Sequence, residues 1–185
     1  MKTIKGLCLG AALLAVAFVA SDARAHDDDD AVAAIEGTGT FTSVVTRTTQ
    51  TLTPPCVSLI TRIGTVSFSG FISNVLANGT QVAHALRDAC AAPVQGPTKQ
   101  TYKLRNATVA GRTGDLVIES EGFFEGDAAT APGARNRYHF EIRGISGGLK
   151  HLRGEGQSVG LATGFPGVPA TSSNTYYARA WFEDD

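Results

Sequence analysis

The stretch from Gly144 to Gly160, GISGGLKHLRGEGQSVG, decides the fold because its six glycines admit two opposed interpretations. A dinucleotide-binding loop needs G-x-G-x-x-G between a strand and a helix, whose N-terminus holds the phosphates. Here Gly154, Gly156 and Gly160 place the third glycine one residue late, and the following QSVGLATGFPGVPA cannot sustain a helix. A P-loop is also excluded, since no glycine is followed by Lys and then Ser or Thr.

The second interpretation of the stretch is structural. Gly147 and Gly148 supply the positive-φ positions of a tight turn between two strands. Gly154 and Gly156 lie two residues apart and so face the same side of the returning strand. Glycines on one face let a strand coil sharply or let another backbone approach, as a barrel requires. The stretch therefore predicts a hairpin within a β-barrel.

Alternation of apolar and polar residues surrounds this hairpin. In RYHFEIRG, Tyr138, Phe140 and Ile142 alternate with polar residues, which is the period of a half-buried strand. Three further segments share the pattern, with predicted inward positions at Tyr102, Leu104 and Asn106, at Leu116, Ile118, Ser120 and Phe124, and at Tyr176, Ala178, Ala180 and Phe182. The β-branched GTFTSVVTRTTQTLT adds another strand.

A hairpin is also expected earlier in the chain. Asn78 and Gly79 lie between extended segments and predict a two-residue type I′ turn. The preceding arm is expected to bend at Gly70 and to present one face consisting of Val66, Phe68, Ile72 and Leu76. The segment AHALRDAC after the turn fits either a strand or a short helix, since its residues are good helix formers.

These segments give about eight short strands at regular spacing, which is typical of an antiparallel sandwich or barrel. Because almost no helix is available to cover a sheet edge, closure into a barrel is favoured. The sequence predicts an all-β fold, a single eight-stranded antiparallel barrel of the calycin-like type over residues 36–185. A disordered acidic tail over residues 26–35, beginning HDDDD, is expected to precede it.

The first 25 residues have the features of a signal peptide. Lys2 and Lys5 precede the apolar run LCLGAALLAVAFVA, and Ala23 and Ala25 complete an A-x-A cleavage pattern before His26. A signal anchor is the alternative, but the run is short beside the ~20 apolar residues of a membrane span. We expect export to the periplasm or beyond, with no membrane association after cleavage.

Charge and cysteine content limit the partners and the redox environment. Removing Lys2, Lys5, Arg24 and Asp22 with the signal peptide leaves 13 of 16 basic and 16 of 17 acidic residues, a net charge of −3. Because this charge provides no basic surface for a polyanion, nucleic acid is not expected as a partner.

Two cysteines remain after cleavage, and in an exported protein Cys56 and Cys90 are expected to form a disulfide. A pair of buried thiols is the alternative. Neither cysteine has the neighbouring ligands of a zinc site, and no metal or cofactor is expected.

The C-terminal half resembles a known superfamily. The segments GDLVIESEGFFEG, YHFEIRGISGGLKHLRGEG and YYARAWF are similar to those of the allene oxide cyclase-like barrels, which include dirigent proteins and small bacterial members of unassigned function. The similarity centres on the turn and R-G-x-G positions Gly144, Ser146, Gly147, Gly148, Leu149, Leu152, Arg153, Gly154 and Gly156. It implies an eight-stranded barrel whose cavity binds apolar or phenolic compounds, with cyclase or isomerase activity as a further expectation.

Two functions are left open by the residues. One is ligand binding inside the barrel, for which the inward aromatic residues Phe124, Tyr138, Phe140 and Tyr176 are candidates, although packing in an ordinary core is the alternative. The other is a non-enzymatic interaction protein with a filled barrel, in which Tyr177 and Trp181 serve an outer interface, with a homo-oligomer as one form of it. No catalytic residue is identified, since Glu119, Glu121, Glu141 and Arg143 are predicted to face solvent in cross-strand charge pairs.

Overall fold

The computed structural model describes residues 33–53, 56–126, 133–164 and 170–183. Nine strands lie in these ranges: β1 Ile35–Thr53, β2 Val57–Gly70, β3 Ile72–Ser73, β4 Gly79–Asp88, β5 Gln95–Val109, β6 Arg112–Glu125, β7 Ala134–Gly144, β8 Leu152–Thr163 and β9 Thr171–Phe182. Two short 3-10 helices occupy Leu76–Asn78 and Gly147–Leu149. The predicted signal peptide and residues 26–32 of the predicted tail lie outside the described residues.

Eight of the strands close into one antiparallel barrel, as the sequence predicts. The order is β5-β4-β2-β1-β9-β8-β7-β6, and pairing of β6 with β5 completes the circle. Each of these strands is hydrogen-bonded to its two neighbours in this order. The last strand in sequence, β9, lies between β8 and β1. The two-residue β3 pairs with the end of β5 beside β4. Closure leaves these eight strands without an exposed edge.

The connection between β2 and β4 differs from the predicted two-residue hairpin. β2 ends at Gly70, whose φ of 99° provides the expected bend, and the chain then forms β3 and the 3-10 helix Leu76–Asn78. Gly79 is extended, with a φ of −111°, and is the first residue of β4. The type I′ prediction is therefore wrong, and Leu76 is 43% exposed instead of facing the core. The segment AHALRDAC continues β4 as a strand up to Asp88.

Burial follows the predicted alternation in the other strands with one exception. Tyr138, Phe140 and Ile142 are buried on β7, while their neighbours are exposed. Asn106 on β5 was expected to face inward, but it is exposed and has a φ of 49°. A bulge between Leu104 and Ala107 shifts the register there, so the period of two is interrupted.

The glycine-rich stretch forms one end of the barrel. Gly147 has a φ of 62°, but Gly148 does not adopt a positive φ, because the 3-10 helix Gly147–Leu149 replaces the predicted tight turn. This helix buries Leu149 completely, in contact with the core. At Gly156 a Cβ atom would overlap the Phe140 ring. The glycines thus serve turn geometry and close packing.

The predicted disulfide lies at the end of the barrel opposite to the glycine-rich stretch. Cys56 and Cys90 are bonded, with their Cα atoms 5.3 Å apart, and link the start of β2 to the loop after β4. The Ala89 amide also donates to the Cys56 carbonyl at 2.9 Å, so covalent and hydrogen bonds fix the same two segments.

Candidate functional site

The barrel interior is divided into two chemically different halves. The half at which β1 begins, here the apolar half, is filled by one hydrophobic cluster. Phe41 stacks on Phe68 with ring centroids 4.8 Å apart, and Tyr102 meets both rings edge to face. Leu149 closes this half from the end. Side chains of this cluster thus fill the apolar half.

The half at which β1 ends, here the polar half, buries polar side chains instead. The buried polar residues are Ser43, Ser58, Gln81, Thr98, Gln100, Ser120, Asn136, Ser158 and Asn174. Buried polar groups are normally hydrogen-bonded, because an unpaired group loses its water partners without compensation. A concentration of such groups inside a small barrel therefore indicates either internal networks or a bound polar partner.

A cavity of about 70 Å³ lies in the polar half. Its lining mixes polar residues, among them Arg62, Gln81, Gln100, Asn136 and Tyr138, with apolar residues, among them Ile60, Ala83, Ala85, Phe124 and Ala134. Residues from most strands of the barrel contribute, so the cavity exists only because the barrel closes. Drug-sized ligands occupy roughly 300–1,000 Å³. This cavity suits a much smaller molecule, or the head group of a longer one.

A hydrogen-bond network connects the cavity to the apolar half. Gln100 Oε1 accepts from Gln81 Nε2 at 2.5 Å and from the Tyr102 hydroxyl at 2.6 Å. Asn136 Nδ2 donates to Ser172 Oγ at 3.3 Å. Two acceptors on the cavity wall have no protein donor, namely Gln81 Oε1 and Asn136 Oδ1. Both side chains belong to residues more than nine-tenths buried, so a hydrogen-bond donor inside the cavity would complete them.

The Tyr138 hydroxyl belongs to the cavity lining, and its proton affinity is changed by these surroundings. Burial raises the pKa of Tyr138 to about 12, and the Gln100 hydrogen bond and the Arg62 charge oppose the rise. Burial also raises the pKa of Tyr102 well above its usual range. Both phenols keep their protons at neutral pH, and the Tyr102 hydroxyl donates to Gln100 Oε1.

Stability is expected to fall at alkaline pH because of these raised pKa values. The unfolded Tyr138 ionises near pH 10, whereas the folded residue keeps its proton to about pH 12. Its contribution is complete below pH 10 and is lost by about 1.4 kcal/mol per pH unit as the pH rises from 10 to 12. Urea unfolding across this range checks it. Tyr138→Phe should have a visibly smaller slope, and equal slopes would refute the assignment.

The four candidate ligand-binding aromatic residues separate between the halves. Phe124 and Tyr138 line the cavity. Phe140 and Tyr176 lie in the filled cluster, with ring centroids 6.2 Å apart. The Tyr176 hydroxyl accepts from the Ile72 amide at 2.8 Å, which connects β9 to β3. The structure thus brings two of the four together at the cavity and places the other two in the core.

The predicted outer carboxylates do face solvent, but their register is not one of simple charge pairs. Glu119 is opposite Glu141, which is opposite Glu155, so three like charges adjoin on neighbouring strands. Glu121 forms a cross-strand ion pair with Lys99 at 2.6 Å. With their side chains on the outside, these residues are remote from the cavity.

A larger concavity of about 830 Å³ lies on the outer surface of β6 to β9 and β1. Phe123, Val159 and Leu161 form its apolar part, beside Arg135 and Arg137. It is a broad groove open to solvent, whereas the interior cavity combines enclosure with acceptors that lack donors. The chemistry therefore favours the interior cavity despite its smaller volume.

Several cavity residues were not anticipated from the sequence, among them Arg62, Gln81, Gln100 and Asn136. Each occupies an inward position of its strand, and the only available signal was a polar residue where alternation calls for an apolar one. Within the described ranges, no group of three or more His, Cys, Asp or Glu side chains is placed to hold a metal ion. No helix in the described part of the chain has the length and apolarity to cross a membrane.

Comparisons with protein-family models, with curated proteins and with solved structures find no match to this chain. The function must therefore be argued from the cavity itself.

Proposed function

We propose that this protein is an exported barrel that binds a small phenolic molecule in the cavity of its polar half. The observation that carries the proposal is the pair of buried acceptors, Gln81 Oε1 and Asn136 Oδ1, which lack protein donors and border the cavity. A buried polar group without a partner costs about 1–3 kcal/mol. A ligand hydroxyl that donates to either acceptor would recover part of that free energy.

The remainder of the lining supports an aromatic body for the ligand. Ile60, Phe124 and the cavity alanines supply apolar contacts for a ring. Tyr138 and Arg62 supply donors for the oxygen of the same hydroxyl. A wholly apolar ligand would leave the acceptors unsatisfied, so we favour the phenolic class. With a volume of about 70 Å³, the cavity admits no more than one small ring, such as the ring end of a longer molecule that extends out of the barrel.

The closed eight-stranded barrel also supports the proposed relation to the allene oxide cyclase-like superfamily, although one fold hosts many functions. Under that relation, a cyclisation or isomerisation would depend on holding the ligand in a reactive conformation. Binding is the step common to an enzyme and a carrier, so it is the step to test first.

Export is part of the same proposal. The disulfide between Cys56 and Cys90 supports it, because such bonds persist in the periplasm and outside the cell and are rare in the cytosol. The predicted cleavage after Ala25 would leave residues 26–34 ahead of β1.

Calorimetric titration with phenol and with toluene tests the binding site. The wild-type protein is expected to bind phenol about 10-fold more tightly than toluene, because only phenol donates a hydrogen bond. Asn136→Leu should lower the affinity for phenol and raise that for toluene, since it replaces the acceptor with an apolar group. Gln157→Leu replaces an amide side chain with the same apolar group at an exposed position of β8, away from the cavity lining, and is the control.

Equal binding of both ligands by the wild-type protein would contradict the role of the acceptors. Absence of binding at millimolar phenol would contradict the proposal as a whole. That outcome would favour the alternative function, a non-enzymatic interaction protein whose barrel is filled by side chains.

A further inference from the structure

Two arginines line the cavity of the polar half, Arg62 on β2 and Arg87 on β4, and both are partly buried. Among the described residues, no Asp or Glu contributes to the same lining. An enclosed site whose charges have one sign concentrates the electric field and attracts ions of the opposite sign. The lining therefore favours a ligand that carries a negative charge.

The carboxylates that adjoin lining residues in the sequence have other partners or positions. Asp88 follows Arg87, and its Oδ1 accepts from two backbone amides of the loop after β4, at 2.9 and 3.2 Å. Glu125 follows Phe124 and lines the outer groove. A guanidinium has several N–H donors, so it can hold a ligand carboxylate together with another partner.

The inner face of β4 carries an acceptor, an apolar wall and a cation in one line. Its cavity residues alternate with exposed ones and are, in order, Gln81, Ala83, Ala85 and Arg87. Gln81 and Arg87 lie six residues apart, about 20 Å along the strand, and the small alanines between them leave space for a ring. Arg87 is the last residue but one of β4, so it stands at the rim of the barrel.

The neighbouring strand β2 gives the two arginines different levels in the cavity. Arg62 is directly opposite Ala83, and Ile60 is directly opposite Ala85. Arg62 therefore lies nearer to the inner end, where its charge opposes the rise in the pKa of Tyr138. Arg87 lies beyond the apolar level and is the cation available to the outer end of a ligand.

We propose that the ligand is a phenolic carboxylate, with its hydroxyl at Gln81 and its carboxylate at Arg87. This inference rests on the proposed phenol site and adds the chemistry of the outer end of the ligand. The cavity of about 70 Å³ holds the ring, so the arm that carries the carboxylate extends toward the rim. A guanidinium binds a carboxylate through two parallel N–H···O bonds, which orient the ligand as well as attract it. Since acceptor and cation lie at opposite ends, hydroxyl and arm are expected at opposite positions of the ring.

Calorimetric titration of the wild-type protein with 4-hydroxycinnamate and with its methyl ester tests the inference. Both ligands have the same ring and hydroxyl, but only the acid is charged at neutral pH. The acid is expected to bind about 10-fold more tightly than the ester or better, because a hydrogen-bonded charge pair forms only with the acid. This advantage should shrink in about 0.5 M salt. The isomer 2-hydroxycinnamate should bind more weakly, since its hydroxyl lies beside the arm.

Variants of single arginines test the assignment of the cation. Arg87→Gln should reduce the ratio of acid to ester affinity about 10-fold. Arg87→Lys should keep part of the ratio, because it retains the charge but not the planar fork of donors. Arg137→Gln removes an arginine from the exposed face of β7, in the outer groove, and is the matched control.

The outcomes separate this inference from the proposed function. Equal affinities for acid and ester, both lowered by Asn136→Leu, would overturn the inference and leave the phenol site intact. Binding of phenol but of neither cinnamate would do the same, whereas binding of none of the three would overturn both proposals. A ratio that falls with Arg137→Gln and not with Arg87→Gln would overturn the inference by placing the anion at the outer groove.

Discussion

Replacing Gly156 with valine is expected to destabilise the barrel by about 3 kcal/mol or more, at the upper end of the range for overpacked cores. A Cβ atom at this position would overlap both the Phe140 ring and the Tyr177 carbonyl oxygen. The ring could move only by disturbing the filled apolar half, and the carbonyl belongs to the paired strand β9. Because small domains are stable by only about 5–15 kcal/mol, this loss should remove a large share of the free energy of unfolding and clearly lower the unfolding midpoint. Thermal and urea unfolding measure the loss.

The matched control for this prediction lies in the same glycine-rich stretch. At Gly148 a Cβ atom would be 3.3 Å from the Thr113 carbonyl oxygen, and the φ angle is not positive. Gly148→Ala should therefore change stability by no more than about 0.5 kcal/mol. Phe140→Leu combined with Gly156→Val should recover part of the loss, since it removes one of the two overlaps. Equal effects at Gly148 and Gly156 would contradict the packing account.

Removal of the disulfide is expected to have an effect of similar size. Cys56 and Cys90 are separated by 34 residues, and closing a loop of that length stabilises the folded state by about 4 kcal/mol in the chain-entropy model. The C56A/C90A double variant should lose about that much in urea unfolding. Its unfolded state should also be more expanded, so the dependence on denaturant should become steeper.

Dithiothreitol provides the control for the disulfide. It should lower the unfolding midpoint of the wild-type protein to that of C56A/C90A and should leave the variant unchanged. Two free thiols in the unfolded, unreduced protein, or a variant as stable as the wild type, would show that no such bond forms.

The strands could be predicted because their faces differ in polarity. On β7 the alternation of Tyr138, Phe140 and Ile142 with polar residues is uninterrupted, and burial follows it residue by residue. Closure followed from the number of strands and the scarcity of helix, since no other element could cover a sheet edge. These features are local or additive, so a single sequence carries them.

The connections could not be predicted in the same way. Asn78 and Gly79 have the sequence of a tight hairpin turn, yet Gly79 is extended because β4 must pair with both β2 and β5. Asn106 follows the alternation on β5, yet a bulge turns its side chain outward. The backbone N–H of Asn106 donates to Asp115 Oδ1 at 3.0 Å. In both cases tertiary pairing overrides the local pattern.

Only two of the four candidate aromatic residues line the cavity, and the reason is related. Alternation tells which face of a strand a residue occupies, but it does not tell how far along the barrel axis the residue lies. Phe140 and Tyr138 are neighbours on the inner face of β7, yet one packs in the cluster and the other lines the cavity. Depth depends on the stagger of all eight strands, which the sequence does not state directly. Inward polar residues such as Gln81 were the usable signal.

The most direct test of the central claim is a phenol titration followed by NMR of the side-chain amides. The account predicts a saturable shift of the Gln81 and Asn136 side-chain amide resonances, because a phenol hydroxyl would donate to their free oxygens. Resonances of the outer groove, such as the Val159 amide, should stay in place. Shifts confined to the groove, or no saturable shift at the two side chains at millimolar phenol, would contradict the account.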